Sequence, residues 1–210
     1  MNQPSWAPPD PAAPQLTAAA ARRAPDWTAL SGDVRTCTAC PELAATRRSV
    51  VVGQAPAGAR LLVLGEAPGA QEDDSGQPFV GRSGQLLDLL LAEVGGDRAH
   101  TAVLNTVKCR PPGNRVPSRP ESAACRGWTE RQLELLAPDL VVTLGLSATR
   151  WFLGPCTLGA VRGQVHEVAG VRVLPTYHPS AAIRSGPRGE PRRLLREDLA
   201  LAVRLTQPPA

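Results

Sequence analysis

The stretch Arg60-Leu61-Leu62-Val63-Leu64-Gly65-Glu66-Ala67-Pro68-Gly69 sets the fold class of this chain. Its first half is a short unbroken apolar run, which reads as a strand buried on both faces. Its second half is a turn bounded by glycine and proline at that strand's carboxyl end. In open α/β sheets, ligands sit beyond the carboxyl ends of strands. Glu66 is placed there among backbone amides, although an ordinary strand-to-loop turn with a solvated Glu has the same pattern. The spacing is not GxGxxG, so a dinucleotide is not the expected ligand.

Further apolar runs at residues 102–107, 139–145 and 171–175 read as strands. Between them, helical spacing recurs. Ser83 is expected to cap a helix carrying Leu86, Leu87, Leu90 and Leu91, and Gly95-Gly96 to end it. Another helix is expected from Arg119 to Leu136, a short one after Ser147 through Phe152, and a last one over 191–205. Residues 27–43 read as helical, 50–52 as a short strand, 70–77 as a polar loop, and 164–175 as a hairpin around Ala169-Gly170. The alternation predicts an α/β fold, a three-layer α/β/α sandwich around a central, mainly parallel four-stranded sheet. Residues 1–25, rich in Pro and Ala with few large apolar groups, are expected to form a disordered tail, leaving 26–210 as one domain.

No apolar run approaches a membrane span and the N-terminus lacks a signal-peptide pattern, so the expectation is a cytoplasmic protein with no membrane partner. The net charge of +4 permits nucleic acid without demanding it. Lys108 is the only lysine, so arginine abundance here is a weak indicator of phosphate binding.

Five cysteines in a reducing compartment point to metal or catalytic use rather than disulfides. Cys37-x2-Cys40 is followed, after a long gap, by Cys109 and Cys125. The second pair is too wide for a zinc ribbon or finger. Iron–sulphur clusters accept widely separated thiolates, but neither ferredoxin spacing matches. The spacing therefore describes a four-thiolate metal site and leaves the metal open. Cys156 has no partner in this pattern.

Three groups suggest recognition of a planar polar ring. Phe79 can stack on a ring or serve the core. Asn105 ends a buried strand, and its amide can read a base edge with a donor and an acceptor or satisfy backbone instead. His178, before Pro179, can donate to an oxygen that gains negative charge. His100 and His166 have no such setting.

These residues also carry a family resemblance. Gly65-Glu66-Ala67-Pro68-Gly69, Pro78-Phe79-Val80-Gly81, the run from Asn105 through Cys109 to Pro112, and His178-Pro179-Ser180-Ala181 resemble the family 4 uracil-DNA glycosylases, and the cysteine frame does too. The resemblance covers about residues 35 to 205. It implies a 4Fe–4S cluster held by Cys37, Cys40, Cys109 and Cys125. It further implies hydrolysis of the bond between uracil N1 and deoxyribose C1′ after the nucleotide is flipped from single- or double-stranded DNA. No lyase step is expected, and a monomer is. Carried over, Gly65, Glu66 and Ala67 line the uracil site, Phe79 stacks on the base, and Asn105 reads its O4 and N3–H edge. Glu72 crowds C5 against thymine, and His178 bonds O2 as charge builds there. Glu66 stabilises the sugar cation or orients water, because Ala67 stands where better-known relatives carry a water-positioning aspartate. Ser180, Arg184 and Arg115 are phosphate candidates, with Arg82 and Arg110 behind them. A related class traps DNA covalently through a histidine in an insertion; the segment from Pro112 to Pro117 has none. Glu66 argues against family 5. The competing readings are a non-catalytic or covalently trapping, metal-braced DNA-binding protein of the same fold, and a nucleotide-handling α/β enzyme with zinc.

Overall fold

The computed structural model describes residues 10–207. The strands are β1 (Leu61–Gly65), β2 (Thr101–Asn105), β3 (Leu140–Leu144), β4 (His166–Val168) and β5 (Val171–Thr176). The helices are α1 (Ala13–Arg23), α2 (Trp27–Arg35), α3 (Pro41–Thr46), α4 (Ala70–Ser75), α5 (Arg82–Glu93), α6 (Arg119–Leu136), α7 (Gly145–Leu153), α8 (Leu158–Val161), α9 (Pro179–Ser185) and α10 (Glu190–Thr206). They fall into two compact units that interleave in sequence. One, the cysteine unit, takes residues up to Val52, Ala67–Gln77 and Thr106–Leu135. The other, the sheet unit, takes Gly53–Glu66, Pro78–Asn105 and the chain after Leu135. The segment expected as one domain, residues 26–210, contributes described residues to both units.

The sheet unit is an α/β layered structure. Its sheet has five strands in the order β2-β1-β3-β5-β4, one more than the four expected. β1, β2, β3 and β5 pair in parallel, and β4 adds antiparallel to β5 as the expected hairpin. The parallel strands are mostly apolar because both faces of the sheet are covered. On one face, Leu61, Val63, Val103, Leu140, Val142 and Leu174 pack with Leu87, Leu90 and Leu91 of α5 and Leu195, Leu199 and Ala202 of α10. On the other, Thr143 meets Thr149 of α7, their hydroxyls 3.0 Å apart. Fully burying a leucine in such a core contributes roughly 1.5–3 kcal/mol. Parallel pairing brings the carboxyl ends of β1, β2, β3 and β5 to one edge.

The cysteine unit is helical. Its core joins Ala21, Leu30, Val34 and Leu43 to Val107, Cys109, Cys125 and Trp128. Helix α1 lies inside the segment expected to be disordered. Alanine is the best helix former, and the helix docks by its small face. Thr17 Oγ1 donates to Ala124 O at 2.7 Å, and Gly127 lets the α1 backbone approach α6. Residues 1–9 of the expected tail lie outside the described residues. The expected helix over 27–43 breaks at residues 36–40, which carry the first cysteine pair, and resumes as α3 with Pro41 at its first position. The expected strand at 50–52 does not form. Val51 N–H bonds Lys108 O. Among the described residues, no helix is long and apolar enough to cross a membrane.

Candidate active site

The edge of the sheet unit assembles four of the expected residues. Gly65 and Asn105 sit opposite one another where β1 and β2 end. A Cβ at position 65 would lie 2.4 Å from Asn105 Oδ1 and 2.6 Å from Phe79 Cζ. Only glycine lets the amide and the ring close over this strand end. Phe79 is held at φ 52°, a region that a bulky residue occupies only when its surroundings impose it. Such outliers gather at functional sites. The Phe79 and His178 rings lie 6.1 Å apart between centroids, tilted by 39°. Phe79 and Asn105 are buried, and His178 is half-buried. Glu66 follows Gly65 directly and is also half-buried.

His178 is the N-cap of α9, and its geometry fixes its chemistry. The Ser180 backbone N–H donates to His178 Nδ1 at 3.0 Å, and Ser180 Oγ lies 2.9 Å from the same nitrogen. A backbone N–H can only donate, so Nδ1 must present its lone pair. The neutral ring then carries its proton on Nε2, which becomes the donor. Gly145, at the start of α7, allows the close packing. Its φ is +85°, and a Cβ there would lie 3.1 Å from His178 Cβ. Nothing in the sequence pattern marked Gly145, because its task appears only when β3 and β5 lie side by side.

Ser180 thus serves His178 in this structure. Arg184 on α9 is exposed, and among the described residues it makes no ion pair. Arg82 is exposed at the start of α5.

In the cysteine unit, Cys37, Cys40, Cys109 and Cys125 line one pocket with Leu43 and Trp128. Burial pushes the Cys125 thiol up to about 12, and it also raises Cys40 and Cys109; the neighbouring thiols add to the effect. Three of the four sulphurs face N–H donors. Arg47 Nη1 lies 3.1 Å from Cys109 Sγ, the Lys108 backbone N–H 3.3 Å from Cys125 Sγ, and Trp128 Nε1 3.4 Å from Cys37 Sγ. Lys108 is buried, and burial draws its ammonium down to about 8 while Cys125 and Cys109 pull the other way. Among the described residues, no three Cys, His, Asp or Glu side chains are gathered closely enough to hold one metal ion. Arg47 and Trp128 were not singled out in the sequence. Their partners lie 62 and 91 residues away, so no local pattern could reveal them.

The remaining expected residues of this unit have defined places. Glu72 Oε2 accepts the Gly69 N–H at 3.1 Å and so ties down the first turn of α4, and residues 70–75 form a helix rather than the expected loop. Ala67 packs against the core. Arg115, expected at a phosphate, is turned inward. It grips both oxygens of buried Glu121, at 2.8 and 2.7 Å, and also Glu42. With its donors directed to two carboxylates, Arg115 is a brace between α3 and α6. Arg110 bonds Asn114 at 2.7 Å.

A family model for the uracil DNA glycosylase superfamily matches residues 45–200. The chain belongs to this superfamily. It is 42% identical over 176 residues to the type-4 uracil-DNA glycosylase of Thermotoga maritima, covering 82% of this chain and 91% of that one. It is 37% identical over 179 residues to the type-4 uracil-DNA glycosylase of Saccharolobus solfataricus, covering 80% and 81%. Similarity to the type-5 uracil-DNA glycosylase of Pyrobaculum aerophilum is shorter, 35% over 140 residues. The chain therefore aligns over a larger share of its length with these two type-4 enzymes than with that type-5 enzyme.

Proposed function

We propose that this protein is a monofunctional uracil-DNA glycosylase of base excision repair. It flips a deoxyuridine out of DNA, hydrolyses the N1–C1′ bond, and leaves free uracil and an abasic site. The observation that carries the reading is the fixed imidazole of His178 beside Phe79, at the strand edge that also holds Gly65 and Asn105.

Each group has a defined task. Phe79 supplies a flat apolar surface for the extruded ring. Asn105 can accept from N3–H and donate to O4, and cytosine reverses that pattern at its own edge. His178 donates through Nε2 to O2. As the glycosidic bond lengthens, electrons flow into the pyrimidine, and charge gathers on O2. A donor aimed at that oxygen stabilises the transition state more than the ground state, by an amount worth about 3–4 kcal/mol. The sugar becomes cationic, and the Glu66 carboxylate next to it lowers that charge's energy and helps to align water. The leaving uracil departs as an anion. Ser180 holds the His178 lone pair at Nδ1 and so prevents the ring from presenting a lone pair, instead of a proton, to O2. Arg184 supplies a phosphate contact. The parts assigned to Ala67 and Glu72 rest on the family resemblance.

The four cysteines fit an iron–sulphur cluster better than a lone ion. They line one pocket without converging on a point, Cys109 and Cys125 are buried and Cys37 and Cys40 half-buried, and N–H donors meet three of the sulphurs. Such donors and the cations of Arg47 and Lys108 suit an anionic, thiolate-bound centre. Cys37, Cys40, Cys109 and Cys125 would hold it. When bound, it supplies a covalent tie among the three chain segments that carry them.

The test is release of uracil from a labelled oligonucleotide containing one deoxyuridine. The expected products are free uracil and an alkali-labile site, with no strand cleavage before alkali and no covalent protein–DNA adduct. Binding of the oligonucleotide with no uracil released would overturn the proposal.

A further inference from the structure

Thr176 ends β5 two residues before His178, and its side chain is fully buried. Its hydroxyl donates to Asp198 Oδ2 on α10 at 2.6 Å. Asp198 is itself 4% exposed. The groups facing it are Thr176 from the sheet, Arg162 at the end of α8, whose Nη1 lies 3.7 Å from Oδ2, and Gly163, where a Cβ would lie 3.0 Å from Oδ1. Glu197 is its neighbour on α10 and adds a like charge. The Gly163 N–H bonds Pro175 O at 2.9 Å. The last two residues of β5 are therefore held by a backbone bond at Pro175 and a buried carboxylate at Thr176. The partner of Thr176 on β3 is Leu144, and the next residue, Gly145, is the one against which His178 packs.

An apolar pair of equal volume would fill this place without burying a carboxylate, so packing alone does not explain the choice. A hydrogen bond to a carboxylate is directional and fixes the height of a strand end as dispersion contacts do not. We propose that Asp198 is a positioning residue for catalysis. Through Thr176 it sets where β5 ends, and thereby where His178 Nε2 meets uracil O2. The proposal rests on the reading of His178 given above. Asp198 touches no substrate. Its effect must appear in the chemical step and depend on His178 being present.

The test is a mutant cycle on the full-length protein, read as single-turnover excision rate, oligonucleotide affinity and Tm. Asp198→Asn and Thr176→Val should each slow excision by about tenfold or more, because small misplacements of a reacting group have large effects on rate. Affinity for the oligonucleotide should stay within roughly twofold. Thr176→Ser, which keeps the hydroxyl, should stay near the parent rate. In a His178→Ala background, neither change should slow excision further. Asp198→Asn and Thr176→Val rates within roughly twofold of the parent would overturn the proposal, as would full additivity with His178→Ala. If Asp198→Asn fails to fold, Thr176→Val and Thr176→Ser carry the test. A His178→Ala protein excising at the parent rate would remove the reading of the site itself, and this outcome is distinct from additivity.

Discussion

Replacing Gly65 by alanine tests the strand edge most sharply. The new Cβ would sit 2.4 Å from Asn105 Oδ1, and 2.6 and 2.8 Å from Phe79 Cζ and Cε2, where ordinary contact begins at 3.4 Å. Both groups must therefore retreat by about 1 Å, and misplacement on that scale slows well-oriented reactions by about a hundredfold. Overpacking a tight site is itself destabilising by about 1–3 kcal/mol. In a protein of this size that lowers Tm by roughly 2–12 °C. The strain falls on the two groups proposed to grip the base, while the sheet beneath them keeps its register. The variant should therefore fold, lose about two orders of magnitude in single-turnover excision, and lose affinity for free uracil. Its affinity for DNA without uracil should hardly change. Excision by Gly65→Ala within roughly threefold of the parent is the opposing result. It would mean that Asn105 and Phe79 do not need to lie where they do.

Arg184→Gln should reduce the slope of log affinity against log salt by about 0.9, whereas Arg115→Gln should leave that slope unchanged. Arg115→Gln should instead destabilise the fold by about 3 kcal/mol, because Glu121 would be left buried without its partner; equilibrium unfolding measures this. Cys125→Ser should lower iron content and broad visible absorbance in anaerobically purified protein, and a colourless parent protein rich in zinc would contradict the cluster assignment. Burial raises the Asp198 carboxyl above its ordinary value, more than the Thr176 hydrogen bond and Arg162 lower it. Its contribution to stability is therefore full below the unfolded value, about 3.9, and is lost as pH rises through the higher folded value. Thermal unfolding of Asp198→Asn should show a Tm that gains on the parent as pH rises from about 4 to about 7, and a gap independent of pH would contradict this.

The parts of the fold that depend on local pattern were legible in the chain. β1, β2, β3 and β5 are mostly apolar because both faces of the sheet are covered, and α6 keeps the limits that its spacing predicts. The misreadings have local causes too. Proline-rich neighbours mask helix α1, although alanine is its commonest residue. Helix α4 is polar and short, and its residues read as a loop because its start depends on Glu72 reaching back to Gly69. Ser83 and Ser147 were expected as caps, but α5 and α7 begin after Gly81 and Leu144, which have no capping side chain. The site was legible where it coincides with strand ends, as at Gly65 and Asn105. It was hidden where side chains meet across long separations, as at Arg47 with Cys109 or Thr176 with Asp198.

In the proposed reaction a neutral imidazole, held at Nδ1 by Ser180, donates to the uracil that leaves. Single-turnover excision by the parent and by His178→Ala, with oligonucleotide affinity measured alongside, tests it most directly. The expected result is a loss of about two to three orders of magnitude in rate with affinity nearly unchanged. Parent-like excision by His178→Ala, or a loss confined to DNA binding, would contradict the account.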